Sequence, residues 1–223
     1  MRSFVFALGF HEDFVLRRLS RKAAQPGERI LVVTASPVVG GVKSAFGSLA
    51  EQCSRLGLAE PELVALDLSD EARALAELVS RVRELEEPVV ADLSGGMRVL
   101  CILILLALLV SGKRFELYVV AEGGGAELHL PVGVAKALSG LSREKIEILR
   151  EIARSPGVTA EGLARRLGKT LKTVRNHLSE LKRMGLVAAR GRGAPLELTR
   201  WGAVLAGAPG SGGEPAARTS ASG

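Results

Sequence analysis

A cluster of residues suited to binding an anion stands directly before the most apolar segment of the chain. Ser94, Gly95, Gly96 and Arg98 lie in the stretch DLSGGMR, and an uninterrupted apolar run follows from Val99 to Val110. Glycines let a backbone approach a ligand closely, and an arginine guanidinium presents a planar cationic fork to phosphate or carboxylate oxygens. This combination predicts a place where an anionic group binds.

The apolar run itself is too short to cross a membrane. It has 12 residues, whereas a membrane span needs about 20, and lengths of about 10 to 14 are typical of a buried core helix. Because the run is apolar on nearly all faces of a helix, we expect it to pack between a sheet and a second subunit.

Short apolar segments alternate with helical patterns along the first part of the chain. Four of them, bounded by turn signals and rich in β-branched residues, are predicted to be buried strands: FVFAL at 4–8, ILVVT at 30–34, LVAL at 63–66 and PVVAD at 88–92. The alternation predicts an α/β fold with a Rossmann-like, mostly parallel sheet covered on both faces. FELYVVAEG and GGAELHLP then predict a terminal hairpin that turns at 123–125.

Four loops follow predicted strands at the same edge of this sheet, and three of them are rich in glycine: LGFHED, SPVVGG, LSGGMR and EGGG. In open parallel sheets, ligands bind at the carboxyl ends of the strands, where loops lead into helix N-termini. A pair such as Gly40 and Gly41 is by itself usually only a turn. The gathering of the loops is what predicts a pocket for a polar or phosphorylated ligand.

Several other functional classes are not expected. No G-x-G-x-x-G follows the first strand and no G-x-x-x-x-G-K-[ST] occurs, which argues against redox dinucleotides and ATP hydrolysis. No Cys or His spacing suggests a metal, and we expect no cofactor. His11, next to Glu12 at a predicted helix start, is either a general base or a capping or surface residue. Cys53 and Cys101 lie in apolar helical patterns and no secretory signal is visible, so reduced cysteines and a cytoplasmic location are expected.

The positive charge of the chain is concentrated in its C-terminal part. Residues 1–142 contain 15 Lys and Arg against 17 Asp and Glu, whereas residues 143–200 contain 14 against 6. Such clustering in a small domain favours an anionic polymer as partner, because neutralised phosphates release condensed counterions. A basic surface that is only solvated is the alternative.

Beyond position 139 the pattern changes to three helical segments and two short strands, the layout of a winged helix-turn-helix. On the third helical segment, Leu171, Val174, Leu178 and Leu181 form an apolar stripe, and the cationic residues lie largely off it. A helix divided in this way can present Lys, Arg and Asn to a major groove of DNA. The residues expected to contact DNA are Lys169, Thr170, Lys172, Thr173, Arg175, Asn176 and Lys182 and, on the wing, Arg190 and Arg192. The alternative is a helix-turn-helix that serves only in protein contacts or dimerisation and does not bind DNA.

These patterns divide the chain into three predicted regions. Residues 1–138 form a ligand-binding and dimerisation domain, and residues 139–205 form a DNA-binding winged helix-turn-helix domain. Residues 206–223 lack aromatic and large aliphatic side chains, so we expect a disordered tail.

The chain resembles the archaeal CRISPR-associated regulators of the Csa type, from type I-A systems, which join a CARF domain (CRISPR-associated Rossmann fold) to a C-terminal winged helix. The resemblance extends over most of residues 1–200. It is carried by four segments in order: GFHEDFVLRRL, SPVVGGVKSAFGSLAEQCSRL, DLSGGMR and RFELYVVAEGGG.

The resemblance implies a homodimer whose CARF domains share one pocket for cyclic tetra-adenylate, a second messenger of antiviral CRISPR immunity. It further implies a ligand-gated regulator that binds double-stranded DNA near CRISPR-associated genes. Related sequences often have another residue at the position of Gly95, so the pocket of this chain is expected to differ in shape. The implied ligand-binding residues are Leu8, Gly9, Phe10 and His11, then Ser36, Pro37 and Val38 as further lining, and Ser94, Gly95, Gly96, Met97 and Arg98.

Two alternatives to this function stay open. Some CARF proteins slowly cleave their own ligand, which needs a ribose 2′-OH positioned for in-line attack and electrostatic stabilisation. Only Ser36, Ser94 and His11 are candidates for such a ring nuclease activity. The other alternative is an α/β sensor of a different effector fused to a winged helix.

Overall fold

The computed structural model of the chain describes residues 1–121, 125–138, 140–191 and 193–207. The chain forms two compact units, Met1–Ser139 and Gly140–Gly223. The predicted turn at 123–125 lies largely outside the described residues, as do Arg192 and the predicted tail from position 208 onward.

The first unit alternates strands and helices up to a final hairpin and a short helix. Its elements are β1 (Ser3–Ala7), α1 (Asp13–Arg21), β2 (Ile30–Ser36), α2 (Gly40–Arg55), β3 (Glu62–Asp67), α3 (Glu71–Arg83), β4 (Val89–Asp92), α4 (Arg98–Ser111), β5 (Phe115–Val120), β6 (Glu127–Leu130) and α5 (Val132–Leu138).

The six strands form one sheet in the order β3-β2-β1-β4-β5-β6. Strands β1 to β5 are parallel, and β6 pairs antiparallel with β5. The predicted Rossmann-like, mostly parallel sheet is therefore confirmed. The strand order reverses between β1 and β4, and the crevice at such a reversal point is where open α/β sheets bind ligands.

The sheet is covered on both faces, which explains why its central strands are apolar without alternation. Helices α1 and α2 pack on one face, where their buried residues join Phe4, Phe6, Ile30 and Val32 in a single cluster. Helices α3 and α4 pack against each other, and α4 also contacts β1 and β2. All five residues of β1 are buried. The two cysteines are free; Cys53 is buried and Cys101 is partly buried.

The apolar run that follows the glycine pair forms helix α4, which buries only part of its apolar surface. The inner face is buried at Leu100, Leu103, Ile104, Ala107 and Leu108. The outer face leaves five large apolar side chains exposed: Val99, Ile102, Leu106, Leu109 and Val110. We call these five residues the outer face of α4. No helix among the described residues is long and apolar enough to span a membrane.

The second unit has the predicted winged helix-turn-helix fold. Its elements are α6 (Arg143–Arg154), α7 (Ala160–Arg166), α8 (Leu171–Arg183), β7 (Val187–Ala188), β8 (Glu197–Leu198) and α9 (Arg200–Ala206). Threonines cap three of the helices: the side chain of Thr159 accepts from the backbone N–H of Gly162, that of Thr170 from Thr173, and that of Thr199 from Gly202.

Two short helices, α5 and α9, were not predicted. Each has seven residues. Helix α9 does carry end signals, since Thr199 caps its start and Gly207 adopts the left-handed conformation at its end. It packs closely on the wing: a Cβ at Gly202 would lie 1.9 Å from the Leu186 carbonyl oxygen.

Candidate functional site

The loops after β1 and β4 are in direct backbone contact at the carboxyl edge of the sheet. A Cβ built on Gly9 would lie 3.3 Å from Gly96 Cα. Gly96 has a φ of +75°, and a Cβ there would lie 2.8 Å from Ala7 Cβ. We expected Gly96 to let a ligand approach. The structure gives a structural reason for glycine, because the loop packs on the end of β1.

The loop after β4 is held by hydrogen bonds that begin at Asp92. The backbone N–H of Ser94 donates to Asp92 Oδ1 at 2.9 Å, and the Ser94 hydroxyl donates to the same oxygen. That hydroxyl also accepts from the Val120 backbone N–H at 2.9 Å. On the other side of the loop, Cys101 Sγ donates to the Gly95 carbonyl at 3.3 Å. The Ser94 side chain therefore maintains the shape of the loop.

Asp92 is held in turn by a buried arginine. Arg18 Nε donates to Asp92 Oδ2 at 2.6 Å, and both side chains are almost fully buried. The same guanidinium pairs with Glu127 and lies 3.7 Å from the centroid of the Tyr118 ring. The hydrogen bond from Arg18 holds the pKa of Glu127 below its ordinary value. Arg18 thus ties α1 to the loop after β4 and to β6.

Arg98 stands at the start of α4 with its side chain exposed. Within the described part of the chain, the Arg98 side chain forms no hydrogen bond and no ion pair. The N-cap residue Met97 provides no side-chain hydrogen bond, and the first turn of α4 contains no acidic residue. The same holds for α2, whose N-cap is Val39. Both helix N-termini keep unpaired N–H groups and an uncompensated positive dipole end.

The remaining predicted ligand residues differ in accessibility. Phe10 is 67% exposed and its ring lies over Gly41, where a Cβ would be 2.7 Å from Phe10 Cδ1. Ser36 and Pro37 are exposed, and Val38 is partly buried against the core. Leu8 is only 1% exposed, so its side chain is not available to a ligand in this structure.

His11 is exposed and directly precedes Glu12, the N-cap residue of α1. Glu12 accepts a hydrogen bond from the Ser48 hydroxyl, which lowers the pKa of this carboxyl. Among the described residues, none forms a hydrogen bond with the His11 ring.

The second candidate site is the surface of α8. Its inner face is buried at Val174, Leu178 and Leu181, which is most of the predicted apolar stripe. Most of the predicted DNA contacts are exposed: Thr170, Lys172, Thr173, Arg175, Asn176, Lys182 and Arg190. Lys169 is partly buried and lies 4.0 Å from Glu147. Arg192 lies outside the described residues.

One carboxylate stands among these cations. Glu161 Oε1 on α7 lies 2.8 Å from Arg175 Nη2 on α8. The pair lines a groove of about 520 Å³ between α8 and the wing, together with residues that include Ser179, Lys182 and Gly193. Sequence patterns did not reveal this pair, because the two residues are 14 positions apart on different helices.

These features define a class of two-domain protein in which a Rossmann-like domain precedes a winged helix-turn-helix. Residues 2–131 match the family described as the Csa3 CRISPR-associated Rossmann-like domain, and residues 143–188 match the family described as winged helix-turn-helix DNA-binding. The chain belongs to the Csa3 family of CRISPR-associated DNA-binding regulators, which confirms the resemblance noted in its sequence.

A relative supports this assignment along nearly the whole chain. The chain is 35% identical over 204 residues to Csa3, a CRISPR locus-related protein of Saccharolobus solfataricus. The alignment covers 91% of this chain and 86% of that protein.

Similar solved structures include two at low sequence identity. One is Can2 from Sulfobacillus thermosulfidooxidans in complex with cyclic tetra-adenylate, at 11% identity and a TM-score of 0.40, covering 92% of this chain and 63% of the Can2 chain. Another is the Drosophila ORC bound to GC-rich DNA and Cdc6, at 12% identity and a TM-score of 0.26, covering 92% of this chain and 84% of the other. Similarities this weak carry no argument about the function of this chain.

Proposed function

We propose that this protein is a homodimeric regulator that binds cyclic tetra-adenylate between its CARF domains and double-stranded DNA through its winged helices. The observation that carries the proposal is the position of Arg98. This exposed, unpaired guanidinium starts α4 immediately after the loop that contacts the β1 loop. The site at this reversal of strand order suits a phosphorylated ligand.

Electrostatics favour an anion at this edge of the sheet. Helices α2 and α4 both begin without an acidic residue in their first turn, and neither has a side-chain N-cap hydrogen bond. By contrast, α1 and α3 carry Asp13 and Glu71 in their first turns. Free N–H groups and a guanidinium are the donors that bind phosphate oxygens.

A nucleotide ligand also needs a surface for its bases. The ring of Phe10 is held over Gly41 at the start of α2 and leaves most of its area exposed. Stacking of a base on an aromatic ring contributes about 1 to 3 kcal/mol. In this proposal Phe10 binds an adenine while Arg98 binds a phosphate.

The outer face of α4 provides the dimer contact. Ile102 and Val110 are 58% and 57% exposed on this face, and a second copy of the same helix would cover them. An isologous interface presents the same groups twice. Pairing through α4 therefore brings two copies of Arg98 to one pocket, which matches the internal symmetry of a cyclic tetranucleotide.

The winged helix supplies the DNA contact. Exposed cations on α8 include Lys172, Lys182 and Arg183, and Arg190 adds a cation before the wing turn. Ligand bound across the dimer changes the relative placement of the two winged helices and so shifts DNA affinity. The shift is limited by the difference in ligand affinity between the two arrangements.

Ligand binding is tested by calorimetric titration and by melting temperature, with cyclic tetra-adenylate and with its linear counterpart as control. A ligand that binds only the native state raises the melting temperature. We expect cyclic tetra-adenylate to do so and Arg98→Ala to weaken its binding by about 10-fold or more. Arg83→Ala, which removes an exposed arginine from the last turn of α3, is the matched control and should bind as the wild type does.

DNA affinity measured on the same variants separates the two sites. Arg98→Ala should leave DNA binding in the absence of ligand nearly unchanged. No response of the wild type to cyclic tetra-adenylate would contradict the proposed ligand. Equal loss of ligand and DNA binding in Arg98→Ala would contradict the proposed role of Arg98.

A further inference from the structure

We propose that Glu161 is a positioning residue that fixes Arg175 for base reading and thereby determines which base pair the winged helix prefers. This inference rests on the proposed binding of double-stranded DNA. It concerns a single contact, the one between Glu161 Oε1 and Arg175 Nη2 at 2.8 Å.

The contact distinguishes Arg175 from other exposed cations of α8. Lys172, Lys182 and Arg183 are also exposed on α8, and none of them forms a salt bridge within the described part of the chain. A lysine or arginine that neutralises phosphate can remain mobile, because phosphate oxygens are accessible from many directions. A guanidinium that reads a base edge must be held in one plane.

Glu161 is placed to impose that plane. It lies in the first turn of α7, two residues after the N-cap residue Thr159. Hydrogen bonds from its own backbone N–H and from Arg175 hold its pKa below the ordinary value, so the carboxylate is ionised at neutral pH. One oxygen of this carboxylate engages one terminal nitrogen of Arg175, and the rest of the guanidinium remains free to donate.

The guanidinium lies beside an open groove in the surface of the second unit. The groove of about 520 Å³ is bordered on the wing side by two glycines and an alanine, Gly191, Gly193 and Ala194. Ser179 and Lys182 border it on the α8 side. An arginine that reaches the major groove of DNA can donate two hydrogen bonds to O6 and N7 of guanine, a pairing that discriminates against other bases by roughly 5- to 150-fold.

A carboxylate near DNA has a second possible effect, a uniform repulsion of phosphate, and the experiment must separate the two. Glu161→Gln and Glu161→Ala remove the same charge, so uniform repulsion would change equally in both. The amide oxygen of Gln still accepts from Arg175, whereas Ala has no acceptor. Only positioning predicts that the two variants differ.

The test is selection of duplexes from a randomised double-stranded DNA library by the full-length chain, with bound sequences counted for each variant. We expect the wild type to prefer guanine at one position and Glu161→Ala to lose most of that preference. Glu161→Gln should retain a substantial part of it. Glu197→Ala, which removes an exposed carboxylate from β8, is the control for charge alone and should keep the wild-type preference.

Substitution of Arg175 must affect the same base-pair position as substitution of Glu161. Arg175→Ala should lose the preference at the base pair affected by Glu161→Ala, and the double variant should lose no more than Arg175→Ala alone. Such non-additivity is expected only for residues that act together. Both side chains are about half exposed, so we expect the variants to fold. Melting temperatures verify this.

The outcomes separate this inference from the function on which it rests. A wild type that enriches no sequence would overturn both sequence-selective DNA binding and the role of Glu161. A selective wild type whose preference is unchanged in Glu161→Ala would overturn the role of Glu161 alone. Equal affinity gains in Glu161→Gln and Glu161→Ala for all sequences would show repulsion and not positioning.

Discussion

Arg18 and Asp92 form a buried ion pair, with Nε of one 2.6 Å from Oδ2 of the other. The two residues are 74 positions apart, on α1 and at the end of β4. Asp92 also accepts two hydrogen bonds from Ser94, whose hydroxyl accepts from Val120 in turn. The loop that precedes Arg98 therefore depends on an arginine from a different helix.

Removal of Arg18 should destabilise the first unit strongly. Arg18→Ala leaves Asp92 buried without its charged partner, and loss of one member of a buried pair costs about 3 to 5 kcal/mol. Urea unfolding followed by far-UV circular dichroism measures this change. Trp201, the single tryptophan of the chain, reports the second unit separately by fluorescence and should show little change.

Arg21→Ala is the matched control, because Arg21 is on the same helix and reaches Glu127 only at 3.5 Å with 54% of its side chain exposed. Exposed pairs contribute about 0 to 1 kcal/mol. A loss in Arg18→Ala no larger than in Arg21→Ala would show that the buried pair does not hold the loop.

Low pH should reduce the stability of the first unit, because it protonates Glu127. Arg18 lowers the pKa of Glu127 below its ordinary 4.5 in the folded chain, so this contribution to stability is present above that pH and is lost as the pH falls through the folded value. The difference in unfolding free energy between the wild type and Glu127→Gln should therefore shrink from about pH 6 to about pH 3. A difference independent of pH would rule out this linkage.

Gly96→Ala should destabilise the chain whether or not ligand is present. The new methyl group would meet Ala7, and the φ of +75° is unfavourable for alanine, so a loss of about 1 to 3 kcal/mol is expected. Gly47→Ala is the control, since Gly47 lies within α2 with nothing within 4 Å of a Cβ and should gain about 0.5 to 1 kcal/mol. Thermal unfolding of both variants measures whether stability falls in Gly96→Ala and rises in Gly47→Ala.

Ile102→Lys should convert the proposed dimer to a monomer. A lysine on the outer face of α4 would place a charge in an apolar contact and remove a side chain that is 58% exposed in the single chain. Sedimentation velocity measures the change in mass. Leu56→Lys is the control because Leu56, 62% exposed, lies at the end of α2; dissociation caused by both variants, or by neither, would argue against α4 as the interface.

Strand positions were largely predictable from the sequence, because buried parallel strands are continuous apolar runs. The segment at 30–34, for example, is the main part of β2, which extends to Ser36. The direct contact between the β1 and β4 loops agrees with the predicted gathering of loops, since both loops follow parallel neighbouring strands. The corresponding loop after β5 falls mainly at residues that the structure does not describe.

The interior electrostatics were not predictable in the same way. Arg17 and Arg18 are adjacent in an amphipathic helix, yet Arg17 is exposed and Arg18 is buried. Arg18 shares the buried stripe of α1 with Val15 and Leu19, but only the tertiary structure shows that Asp92 and Glu127 are its partners. The sequence also did not reveal that the Ser94 hydroxyl accepts a hydrogen bond from Val120 on β5.

The contact between Gly9 and Gly96 has a mechanical consequence. With only 3.3 Å from a Cβ position on one loop to the backbone of the other, neither loop can advance toward its neighbour without pushing it. A molecule that pushes one loop toward the other must therefore displace both, so two segments far apart in the chain respond to it together.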